Sequence, residues 1–173
     1  MFEEARILGP TERSIVVQTR RGRDVVNVVE LQPDHAARRK YQLLLDKFGR
    51  NWKQRKPATG GYNCAGHVWA SRRTAILEPE AWRLILMDDG YRRLPDSEEP
   101  SPGDLVLYVD RRDNGFLHVG EILELRESIG RRAPWVLSKW NSTSGEVMHY
   151  VHDVPFRMQF DVRCEYWSDR QVP

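Results

Sequence analysis

The 173-residue chain sets 27 Lys and Arg against 25 Asp and Glu, a net charge of +2, with 40% hydrophobic and 30% charged residues. That balance excludes a chain disordered throughout, and the length suits one domain, which takes roughly 100–200 residues. No window approaches the ~18 apolar residues that span a bilayer, and the opening MFEEARILGP lacks the apolar run of a signal peptide, so the expected setting is the cytoplasm unless a leaderless route exports the protein.

Residues 14–18 (SIVVQ) and 24–31 (DVVNVVEL) are β-branched runs around 19-TRRGR-23 and predict an N-terminal hairpin. Asp34 is a helix cap, the leucines 43–45 continue a helical pattern, and Gly49 stops it. Between Arg38 and Lys56 stand eight basic residues (Arg38, Arg39, Lys40, Lys47, Arg50, Lys53, Arg55, Lys56) against Asp46 alone, a surface suited to an acidic protein or nucleic acid. The span 49–61 reads as a polar loop ending in Gly60-Gly61.

A short helix is expected from Cys64 to Arg73, and a second from Glu80 to Asp89, opened by Glu78-Pro79 and burying Trp82, Ile85 and Leu86. The run 95-PDSEEPSPGD-104 is a connector. After it come strands at 104–109, 117–124, 134–140 and 146–151, with turns at 110–115 and 141–145, implying an antiparallel meander. The class is α+β: a 1–59 extension of hairpin and basic helix, a 60–152 core, and a 153–173 strand or tail, all in one domain.

Chemistry concentrates at 61-GYNCAGHVWA-70. A thiol attacks as thiolate, and the first turn of a helix favours that charge through its unpaired N–H groups. Asn63 can cap this helix, Gly61 permits a tight turn, and Tyr62 or Asn63 could assist backbone amides in an oxyanion hole. His118, in 117-LHVGEIL-123, alternates onto the strand face opposite Val119 and is the candidate base. The next strand offers Asn141 as orienter of the imidazole, with Ser138 as second choice. Trp69, Trp140 and His67 are candidates to line the cleft.

The ordered set YNCAGH, 102-PGDLVLY-108, 118-HVGEI-122 and 138-SKWN-141 resembles the papain-like NlpC and CHAP cysteine hydrolases over roughly residues 60–152. The resemblance implies a papain-like fold, in which a cysteine-bearing helix packs on an antiparallel sheet. It also implies a thioester-forming amidase or peptidase with Cys64 as nucleophile and His118 as base, acting on a protein or on peptidoglycan peptides and needing no cofactor. Members also deamidate proteins or transfer acyl groups, so a deamidase or acyltransferase is the alternative on this fold. Position 139 is lysine where CHAP members often carry glutamate.

Rival readings are fewer. Cys64 and His67 with His149 and His152 supply four zinc ligands by type, but residues three apart on a strand face opposite ways. The carboxylates Asp104, Glu121 and Glu146 could form a glycosidase pair, yet no spacing brings two of them together. Cys164 reads as a buried strand residue. From a different class, a non-catalytic module could hold nucleic acid or an acidic protein on the Arg38–Lys56 surface.

Overall fold

A computed structural model describes residues 15–29, 32–128, 130–157 and 159–170. Helix α1 (His35–Phe48) starts at Asp34, whose carboxylate accepts from the Ala37 N–H, and ends at Gly49. Strand β1 (Trp52–Lys56) follows, then α2 (Cys64–Trp69) and α3 (Pro79–Asp88). The remaining strands are β2 (Arg92–Arg93), β3 (Leu105–Asp110), β4 (Phe116–Ser128), β5 (Arg131–Lys139), β6 (Glu146–Tyr150) and β7 (Val162–Ser168). All seven strands form one antiparallel sheet in the order β1-β6-β5-β4-β3-β7-β2, which makes the class α+β. No helix among the described residues is long and apolar enough to cross a membrane.

The meander β3 to β6 and the helix beginning at Pro79 stand where the sequence pattern puts them; in α3, Trp82, Ile85 and Leu86 are buried. Three expectations need correction. The span 49–61 is not all loop: Trp52 anchors β1 by stacking on Phe48 at 4.7 Å and donating its indole N–H to the Asp153 carbonyl, and the strand then pairs with β6. The hairpin is reduced to a turn at 19–22 and the bridge Gln18↔Asp24, because Val16 and Val26 point to solvent and Val28 leaves to pair with Ala75. Ser14, Glu30 and Leu31 of that hairpin lie outside the described residues. The cysteine helix ends at Trp69 rather than Arg73, since the Ala70 and Arg72 N–H groups both turn back onto the Gly66 carbonyl.

Alternation along β3 and β4 divides the sheet into two faces. Leu105, Leu107, Val109 and Val119 share one face with Cys64, Ala65, α3 residues and the hairpin valines Val17 and Val25. Val106, Tyr108, Ile122 and Val136 line the other, beneath Val151, Val154, Trp140 and Phe156. Strands β1 and β7, from the expected extension and tail, are hydrogen-bonded into the same sheet as the core.

Candidate functional site

Asn63 sets the geometry of the cysteine turn. Its side-chain oxygen accepts from the N–H groups of Gly66 (2.9 Å) and Ile76 (3.1 Å), and its amide donates to the Ile76 carbonyl (2.8 Å). This caps α2 as expected and ties it to the following segment. Gly61, at φ +94°, makes the turn before it. Gly66 lets the helix lie against backbone, since a Cβ there would overlap the Thr74 carbonyl oxygen.

Cys64 is 6% exposed and packs on the Val119 face of β4. Burial pushes its thiol up to about 11, against the N–H groups of Val119, Ala65 and Cys64 itself and the charge of Lys139, which all favour the thiolate. The thiol is therefore protonated at neutral pH.

His118 lies on the other face. It is the cross-strand partner of Tyr108, with ring centroids 5.5 Å apart, and it also meets the rings of Trp140 (4.8 Å) and Phe156 (5.9 Å). Burial, with the neighbouring His149 and His67, holds its pKa well below the usual histidine range. The strand alternation was read correctly, but α2 covers the Val119 side, so the sheet separates the side chains of Cys64 and His118.

The other expected partners are also engaged elsewhere. Asn141 accepts from the backbone N–H and the hydroxyl of Thr143 (both 2.9 Å), closing its own turn instead of orienting His118. Ser138 meets Nε2 of His149 at 2.9 Å, while Nδ1 of that ring faces the Tyr150 carbonyl at 2.7 Å. A carbonyl only accepts, so Nδ1 carries the proton and Ser138 donates to Nε2. Trp140 belongs to the His118 face, between Trp52 and His149, and lines no cleft beside the thiol. Trp69 stays on the Cys64 side, edge-on to Trp82 at 5.8 Å.

The side of the sheet that holds Cys64 gathers a different set of polar groups. His67, one turn along α2, has its side chain fully buried, with Nδ1 3.5 Å from Glu146 and Nε2 3.9 Å from Glu121. Neither ring nitrogen makes a hydrogen bond within the described structure. Burial first, then the charge of Arg72, pushes its pKa down to about 4, so the imidazole is neutral at pH 7. Glu146 accepts from Tyr62 Oη (2.8 Å) and Arg72 Nε (2.7 Å), with Arg55 at 3.3 Å and Lys56 at 3.9 Å. Burial acts to raise this carboxyl, but Arg72 and Tyr62 together hold it below the usual range. Tyr62 is thus a carboxylate partner and not an oxyanion donor.

Backbone strain marks the same place. Ser71 and Arg72 adopt left-handed φ values of +50° and +66°, uncommon without glycine, and the turn delivers the Arg72 side chain to Glu146. The C-x2-H spacing on a helix was the available sign of His67, because residues i and i+3 share a helix face. Glu146 carried no local sign; only the pairing of β6 with β5 brings it under α2. Comparison of the chain with family models, curated proteins and solved structures returned no match.

Proposed function

We propose that the protein is a papain-like cysteine hydrolase of amide or peptide bonds, with Cys64 as nucleophile, His67 as base and Glu146 as the carboxylate that orients the imidazole. The supporting observation is the shared face: Cys64 packs over Val119 and His67 reaches toward Glu121, two same-side residues of β4, while Glu146 approaches His67 Nδ1 from β6.

A neutral imidazole is the form able to accept a proton. With Nδ1–H turned to Glu146, Nε2 takes the Cys64 proton as sulfur bonds to the carbonyl carbon. Collapse of the tetrahedral oxyanion breaks the C–N bond, and His67 returns the proton to the departing amine. Water, deprotonated by the same nitrogen, then cleaves the thioester to the acid. If an amine attacks in place of water the product is an acyl transfer, and if the leaving group is ammonia the reaction is deamidation. The 3.5 Å contact of Nδ1 with Glu146 shortens on substrate binding, as catalytic hydrogen bonds often do, while Nε2, 3.9 Å from Glu121, turns to the thiol.

The described state is closed, because Val17 and Val25 of the N-terminal turn pack in the same cluster as Cys64. Arg23 is held by Asp88 of α3, and Thr19 also donates to that carboxylate at 2.8 Å. Substrate entry requires this segment to lift. The test is iodoacetamide alkylation of each cysteine across pH ~5 to 10, read by mass spectrometry, in wild type and in Arg23→Ala, His67→Gln and His118→Gln added to it. Arg23→Ala is expected to speed Cys64 alkylation about tenfold with a midpoint below the ~8.5 of a free thiol, His67→Gln to raise that midpoint, and His118→Gln to leave it in place. A thiol that stays inert, or that titrates normally whatever stands at position 67, sinks the hydrolase reading.

A second reading has its own observation: all eight basic residues between Arg38 and Lys56 are exposed, on α1, the turn after it and the edge strand β1. Binding to nucleic acid or an acidic protein that weakens steeply with salt and ignores Cys64→Ala supports it.

A further inference from the structure

On the His118 side of the sheet, away from the cysteine, the loop after β6 and strand β7 enclose a recess of about 240 Å³. Its lining includes Arg111, His152 and Arg157, the apolar side chains of Val154 and Val162, and Cys164. Among the described residues no acidic side chain lines it. We infer that this recess binds a small organic anion, a carboxylate or phosphate group carried on an apolar body.

Three observations carry the inference. The cations that share this lining outnumber their carboxylate partners: Arg111 pairs loosely with Asp161 at 3.8 Å, and Arg157 makes no ion pair among the described residues, reaching the His152 carbonyl at 3.5 Å. Arg163 also borders the recess, but its guanidinium is taken by Glu165 at 2.7 Å, so it is not counted as a ligand. Second, the arginines act on their neighbours: burial first and then Arg157 disfavours the charged form of His152, Asp153 partly offsetting it, and burial raises the Cys164 thiol to about 11 although Arg157 and Arg111 favour its thiolate. An anion in the recess relieves that crowding, and guanidinium is the side chain best shaped to grip carboxylate or phosphate. Third, the valines give the body of the ligand an apolar seat, the mixture of apolar wall and few polar anchors that small-molecule sites use. The inference is independent of the chemistry proposed for Cys64.

Cys164 reports on the site. The full chain is alkylated with iodoacetamide in rising phenyl phosphate, benzoate or inorganic phosphate, with sodium chloride matching the ionic strength, and the two cysteines are followed separately by mass spectrometry. Phenyl phosphate or benzoate is expected to slow Cys164 about tenfold at a concentration ~10 times its Kd, with Cys64 unaffected. The Arg111→Ala/Arg157→Ala variant, altered only at exposed side chains, is expected to lose this protection. In parallel, the same ligands are expected to raise the Tm of wild type but not of the variant, which reads the site even if Cys164 alkylates slowly. Protection or a Tm rise that chloride reproduces, that persists in the double variant, or that is absent from both measurements overturns the proposal. Inorganic phosphate binding as tightly as phenyl phosphate overturns the apolar seat.

Discussion

Lys139 has no exposed surface, yet its ammonium is fully provided for. It donates to the carbonyls of Thr59 (2.8 Å), Ser142 (3.2 Å) and Ser144 (2.5 Å) and lies 4.7 Å from the centre of the Tyr62 ring. It therefore pins the segment between β1 and the glycine turn to the loop between β5 and β6. Lys139→Met is expected to cost about 3 kcal/mol in urea unfolding, because several buried carbonyls lose their donor, and to push the Cys64 thiol still higher by removing a favourable charge. An unchanged unfolding midpoint counts against this role. The lysine stood out in the sequence as a departure at a position where a glutamate was expected. Its cross-strand partner is a carboxylate, Glu146. Alternation indicated that His118 and Val119 face opposite ways; it carries no information on which face the distant helix α2 will cover. That is why the thiol and the strand face of His118 were each legible, and their placement on opposite sides of the sheet was not.

Among the elements, legibility followed the source of the pattern. Strands β3 to β6 and helix α3 announce themselves by apolar periodicity, and their packing obeys it. Strand β1 has the sequence WKQRK, whose one buried side chain is Trp52; its pairing comes from the open edge of β6, a tertiary cause invisible in a five-residue window. Trp52→Ala is expected to cost about 3–4 kcal/mol and to release amide protection selectively from β1, measured by hydrogen exchange. Helix α2 is short because Gly66 serves two purposes, receiving N–H groups from the turn beyond Trp69 and admitting the Thr74 backbone. Gly66→Ala forces two main chains apart, with an expected loss of about 3 kcal/mol and slackening of the Cys64 turn; full stability in that variant argues against so close a contact.

At the scale of the whole molecule, buried histidines and arginine-paired carboxylates shape the response to acid. His67 and His149 are each pushed down to about 4, chiefly by burial, so the fold favours their neutral forms. Their contribution is complete above the ordinary value near 6.5 and is lost as pH falls through 4, each adding a slope of up to about 1.4 kcal/mol per pH unit in that window. Urea midpoints are expected to fall between pH ~6.5 and 4, and His149→Gln is expected to flatten the fall. Asp88, held to about 2 by Arg23 and Thr19, acts lower: its contribution is present above pH ~4 and disappears as pH drops toward 2. The N-terminal turn should then part from α3, and hydrogen exchange over residues 15–29 is expected to accelerate in that range for wild type and already at neutral pH for Arg23→Ala. Equal exchange in the two proteins at neutral pH removes Asp88 as the latch.

The two borders of the sheet are unlike. At one end β2 offers only two residues, too few to template another strand, whereas at the other β1 leaves five residues of backbone at an open edge. Lys53, Arg55 and Lys56 stand exposed along it. A second copy aligning there in antiparallel register brings cation against cation, so mutual repulsion keeps copies from joining into a continuous ribbon. The same charges that suit an acidic visitor thus act as a guard against fibre growth, and neutralising them is the change that turns this edge adhesive.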